Sequence, residues 1–208
     1  MISIKSALAK PFAKHVYKNI QKWAKKPVET QEKVFKELIA AAVNTQFGKD
    51  HDFKSINNYL DFTERVPVTN YEDNQSLYER ARKGESNIFW PSPIKWFAKS
   101  SGTTNSKSKF IPVSTEALED CHYKAGKDML ALYFINNENS QLLTGKSLRL
   151  GGSSELYNDH NSSFGDLSAI IIQNLPLWAE LSSTPSNKTS LIAEWETKMK
   201  AIVAESIS

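Results

Sequence analysis

The chain has 208 residues, 40% hydrophobic and 11% aromatic, with 8 glycines and 8 prolines, which excludes a disordered polymer and suffices for one well-buried domain or part of a larger one. A net charge of +3, with no interleaving of aromatic and basic residues, gives no footprint for nucleic acid. The single cysteine, Cys121, excludes an internal disulfide and a cysteine-based zinc cluster and fits a reducing compartment.

Residues 4–26 place Ile4, Leu8, Phe12, Val16, Ile20 and Trp23 at helical spacing, with Lys10, Lys14, Lys18, Lys22 and Lys26 about half a turn away. This predicts an amphipathic helix with Pro11 near its start and a solvated lysine face. The segment lacks the apolar core of a signal peptide, and nowhere do eighteen apolar residues run together, so a cytoplasmic protein without a membrane span is expected. A second helix is predicted from Pro27, burying Val34, Phe35, Leu38, Ile39 and Ala42 and stopping at Gly48. Shorter helical pieces are expected near Ser55 and Asn70. "NIFWPSPIKWFAK" then breaks the helical pattern with Pro91 and Pro93 and ends in strand-like alternation.

"KFIPV" reads as a returning strand, and Ser114 as the cap of a helix with Leu118, Cys121, Ala125, Met129, Leu132 and Tyr133 on one side. "SLRLGGSSELY" and "LSAIII" are read as strands around a polar, glycine-containing loop. A last helix after Ser186 is expected to bury Leu191, Ile192, Trp195, Met199, Ile202 and Val203. Helices alternating with short strands indicate an α/β fold. Its first ninety residues are mainly helical, and a mixed sheet with flanking helices follows over 91–208.

Two stretches invite a phosphate. "SQLLTGKS", residues 140–147, comes within one residue of GxxxxGK[ST], but Ser140 replaces the first glycine and a strand rather than a helix follows. A turn ending the preceding helix explains it better. The other stretch joins the two predicted strands with six hydroxyl side chains and one glycine in "SSGTTNSKSK". Gly102 lets backbone amides converge, the hydroxyls of Ser100, Ser101, Thr103 and Thr104 can donate to phosphate oxygens, and Lys107 or Lys109 can balance the charge. A polar hairpin tip satisfying its own backbone groups is the alternative, and the chemistry leaves both open. The four histidines, at 15, 51, 122 and 160, lack the spacing of a metal pair. Cys121 is expected in the core and His122 at the surface.

"SSGTTNSKSKFIP" resembles the phosphate-loop signature of adenylate-forming enzymes. With "PVETQEKVFKELIAAAVNTQFGKDHDF", "RVPVTNYED" and "LRLGGSSELYND", the chain resembles the auxin-responsive Gretchen Hagen family of acyl acid amidosynthetases, in its bacterial branch, over essentially its whole length. The resemblance implies a ligase that activates a carboxylic acid with ATP and Mg²⁺ and transfers the acyl group to an amine or amino acid. Ser100, Ser101, Gly102, Thr103 and Thr104 would embrace the β and γ phosphates, with Lys109 as the signature lysine. Ser106 stands where the family has glycine, which leaves the part of Lys107 open. Glu155 in "GGSSELY" echoes a later adenine- and Mg²⁺-binding motif by accident of sequence, so no metal ligand is assigned.

The resemblance further implies that residues 1–208 are the N-terminal part of the large domain, its C-terminal portion absent. The isolated chain would then be inactive, with exposed apolar surface that favours self-association. The alternative is a non-catalytic binding or interaction module held at a membrane surface by its basic first helix.

Overall fold

The computed structural model describes residues 4–100, 108–137, 139–150, 157–159 and 161–207. In chain order the helices are α1 (Ile4–Ala24), α2 (Pro27–Ala42), α3 (Gln46–Asp50), α4 (Tyr59–Arg65), α5 (Gln75–Arg82), α6 (Lys124–Asn136), α7 (Leu167–Gln173), α8 (Leu177–Leu181), α9 (Asn187–Ser190) and α10 (Trp195–Ser206). The strands are β1 (Trp96–Lys99), β2 (Phe110–Val113), β3 (Ser147–Leu148), β4 (Tyr157–Asp159), β5 (Ser162–Gly165) and β6 (Ser183–Thr184). The architecture is mixed α/β. The chain divides into two compact units, one formed by Met1–Gln21, Leu118–Tyr157 and Gly165–Ser208, the other by Lys22–Ala117 and Asn158–Phe164.

The second unit carries a four-stranded sheet in the order β2-β1-β5-β4. β1 and β2 pair antiparallel, Trp96 opposite Val113 through Lys99 opposite Phe110, as the alternation on either side of the hydroxyl-rich loop predicts. The sheet's core is Ala81, Ile88, Ile94, Phe97 and Phe164, with the Phe97 and Phe164 rings 5.7 Å apart. Phe164 belongs to β5, the fully buried "SSFG", which reads as loop in the sequence. Its serines are tolerated inside because Ser163 N donates to Lys95 O at 2.8 Å and Ser162 Oγ to Arg82 O at 2.7 Å.

A neighbouring cluster of Ile39, Ala42, Phe53 and Ile56 anchors α2 and the short helical pieces after it. α2 starts at Pro27 as predicted but ends at Ala42, and Gly48 is no stop: it lies inside α3. A Cβ at Gly48 would come within 2.1 Å of Ala42 O, so glycine is required by close backbone approach. Thr45 caps α3, its hydroxyl accepting from Gly48 N at 3.0 Å and donating to Ala42 O at 2.6 Å.

In the first unit α1 and α6 meet over Ala13, Ala131 and Phe134, with Val16, Ile135 and Leu143 around them. The apolar stripe expected of α1 is only partly buried: Ala13 and Ile20 are covered, whereas Leu8, Phe12 and Trp23 are exposed. The predicted face of α6 also fails. Ser114 does cap the helix, accepting from Ala117 N at 3.1 Å, but the first turns, Ala117–Tyr123, are π-helical. The wider turn shifts the phase of the buried stripe. Leu118, Tyr123, Ala131 and Phe134 face inward, while Cys121, Met129, Leu132 and Tyr133 are exposed.

"LSAIII" is helix α7, not a strand, with Ala169, Ile170 and Ile172 buried. Short apolar runs have no periodicity that separates the two states. The last expected helix is two, α9 capped by Ser186 and α10, and the buried face of α10 carries Lys198 and Ile202, leaving Trp195 and Val203 exposed. β3 and β6 form a two-stranded parallel ladder, Ser147 opposite Ser183 and Leu148 opposite Thr184. The "TGKS" stretch is thus a turn entering a strand, the arrangement that excludes the GxxxxGK[ST] loop.

Candidate functional site

The loop between β1 and β2 is framed by residues that the strand ladder places opposite each other. Beyond the Lys99 and Phe110 pair, Ser100 N donates to Lys109 O at 2.9 Å, and Lys109 N donates to Ser100 Oγ at 3.1 Å. Ser100 and Lys109, nine positions apart, therefore form the two posts of the loop. The Ser100 hydroxyl oxygen is engaged as an acceptor, and among the described residues its O–H has no acceptor. Ser101, Gly102, Thr103, Thr104 and Lys107 lie outside the described residues, as does Glu155.

The Lys109 side chain does not hang in solvent. Its Nζ sits 3.2 Å from Glu72 Oε1 and 5.5 Å from the centroid of the Tyr71 ring. Tyr71 is fixed in turn: its hydroxyl accepts from Phe110 N at 3.2 Å and donates to Phe110 O at 3.4 Å, while its ring stacks on Tyr78 at 4.5 Å with a 7° interplanar angle. Tyr78 continues the column to Phe89 at 4.8 Å. Burial, then the neighbouring Tyr71, raises the Tyr78 phenol pKa. Glu72's own backbone N–H, and then the Lys109 ammonium, hold its carboxyl below the usual carboxylate range.

This corner forms because α5 packs beside β2, setting the residues just before α5 against the start of that strand. Tyr71 and Glu72 fall in "RVPVTNYED", yet no local pattern ties them to a lysine 37 residues on. Only docking of the helix on the hairpin brings the two together.

The first unit holds a separate feature, a half-open cleft of about 680 Å³ lined by Leu8, Phe12, Leu130, Phe134, Leu142 and Leu143. Lys127 stands in the same lining, with no ion-pair or hydrogen-bond partner among the described residues. An apolar cleft with one uncompensated cation suits an amphipathic anion. Neither the cleft nor the place of Lys127 in its lining was legible in the sequence, since Leu8 and Phe12 read as packing residues.

Comparison with known families matches residues 16–208 to the GH3 family N-terminal domain. Among characterised relatives, an indole-3-acetic acid-amido synthetase GH3.2 of Arabidopsis thaliana is 33% identical over 103 residues, 49% of this chain and 19% of that protein. Among solved structures, GH3.15 acyl acid amido synthetase superposes with a TM-score of 0.69 at 19% identity, covering 88% of this chain and 32% of that one. AtGH3.15 acyl acid amido synthetase in complex with 2,4-DB gives 0.64 at 20% identity, over 82% of this chain and 30% of that one. The chain thus spans about a third of the length of these structures and shares their fold. With the family match running from residue 16 to residue 208, the chain belongs to the GH3 family, whose N-terminal domain it represents.

Proposed function

We propose that the chain is the phosphate-gripping part of an acyl acid amido synthetase that activates a carboxylic acid with ATP. In that reaction a carboxylate oxygen attacks the α-phosphorus, the bond to the bridging oxygen breaks, and pyrophosphate leaves with the electron pair. An amine, such as that of an amino acid, then attacks the acyl carbon, AMP departs, and the amine gives up a proton. Negative charges converge in the first step, so amide, hydroxyl and ammonium donors must be in place beforehand.

The observation that carries this reading is the pairing of Ser100 with Lys109 at the loop's posts. It sets a hydroxyl-bearing residue and a lysine opposite each other where the loop leaves the strands, and Ser101, Gly102, Thr103, Thr104 and Lys107 are proposed to complete the cradle between them. Mg²⁺ is proposed to arrive on the triphosphate, whose oxygens are the hard donors it prefers. The cleft beside Lys127 is proposed to take the apolar body of an acid, with the ammonium facing its carboxylate.

The test is titration of the 208-residue chain with tripolyphosphate, followed at the backbone amides of Ser100 and Lys109 by NMR. Both are expected to shift, Lys109→Ala to weaken binding about tenfold, as the loss of a charged hydrogen bond implies, and Lys146→Ala to leave it unchanged. Unmoved amides at millimolar anion would overturn the reading. Pyrophosphate exchange is expected to be absent from the isolated chain, because phosphate contacts alone do not orient the α-phosphorus; robust exchange would refute that part.

A further inference from the structure

Three contacts from outside the loop converge on its exit post. The Tyr71 hydroxyl holds both backbone groups of Phe110, the Tyr71 ring lies under the Lys109 ammonium, and Glu72 faces that ammonium at 3.2 Å. The Tyr71 ring is itself backed by Tyr78 and Phe89. A pair of long side chains meeting casually at a surface has no such scaffold, and holding both in one geometry costs side-chain entropy. Here the backbone of the lysine's neighbour is pinned by the residue next to the glutamate, so both ends of the ion pair are positioned from one turn.

We propose that Tyr71 and Glu72 form a counter-ion seat for Lys109, in which Glu72 neutralises the ammonium while no anion is bound and opposes an incoming phosphate for it. Glu72 is then a positioning residue that sets the threshold for anion binding, and it keeps the cation of an empty loop from recruiting stray anions. The inference rests on the phosphate reading above. A carboxylate and a phosphate seek the same three N–H donors, and whether Glu72 is displaced or shares them, its negative charge works against the second anion. The pair is partly solvated, which limits the effect to the range of exposed ion pairs.

The experiment is calorimetric titration of the full chain with tripolyphosphate at low ionic strength, on the wild type, Glu72→Gln, Lys109→Gln and the double variant. Glu72→Gln is expected to bind about two- to fivefold more tightly, and the gain to disappear when Lys109 is already glutamine. A second readout needs no anion: acetylation of the Lys109 amine, followed by mass spectrometry against Lys36, is expected to run about twofold faster in Glu72→Gln. Binding that is unaffected by Glu72→Gln, or a gain that persists without Lys109, overturns the seat alone. Absence of binding in every variant overturns the phosphate reading, and with it the threshold role.

Discussion

Thr45 and Gly48 show how tightly single residues are specified. The Thr45 side chain is fully buried, yet its hydroxyl both donates to Ala42 O and accepts from Gly48 N, so no polar atom is stranded. Thr45→Ala is expected to lower stability by about 1–2 kcal/mol in denaturant titration, the range for a lost N-cap. Gly48→Ala should cost about 2–3 kcal/mol, because its Cβ would meet a carbonyl oxygen at 2.1 Å and the backbone must move. At this scale the sequence was legible where chemistry is local: Ser114 and Ser186 do cap helices, as their hydroxyls suggest. It misled where a residue's neighbours are distant. Lys198 occupies a buried position of α10 among residues read as apolar, its amine pKa depressed by burial and partly restored by Asp166.

Elements succeed or fail by whether their periodicity is undisturbed. The β1–β2 hairpin alternates cleanly and appears where predicted, while the π-helical turns over Ala117–Tyr123 shift the face of the whole helix that follows. Tyr123 sits at the end of that stretch, buried, its hydroxyl donating to Ile171 O at 2.9 Å and so tying α7 to it. Burial, reinforced by Glu119, pushes its phenol pKa up to about 12. The neutral phenol is thereby favoured in the folded state, so its stabilisation is complete below pH 10 and is lost as pH rises from about 10 to 12. Tyr123→Phe is therefore expected to be less stable than wild type at neutral pH and to lose stability less steeply over that alkaline window, measured by urea unfolding at a series of pH values.

Over the whole molecule, each compact unit is assembled from separated stretches of chain, three for one and two for the other. Contacts that define a site are accordingly remote in sequence. The cleft of the first unit draws Leu8 and Phe12 from α1 and Leu130 and Phe134 from α6, with Lys127 a cation that has no partner among the described residues. Octanoate is expected to protect this cleft and to bind about fivefold or more weakly to Lys127→Ala, as loss of a charged contact implies; equal affinity for both proteins would remove Lys127 from the site. No described helix is long and apolar enough to cross a membrane.

The sequence by itself determined the helical first ninety residues, the hairpin and the family, because periodicity, caps and motifs are properties of contiguous residues. Tertiary structure alone decided that "LSAIII" is helical, that "SSFG" is a buried strand, and that Glu72 faces Lys109. Each of those depends on what packs against the segment, and the free energy of burial and charge pairing is fixed by neighbours in space, which chain order does not specify.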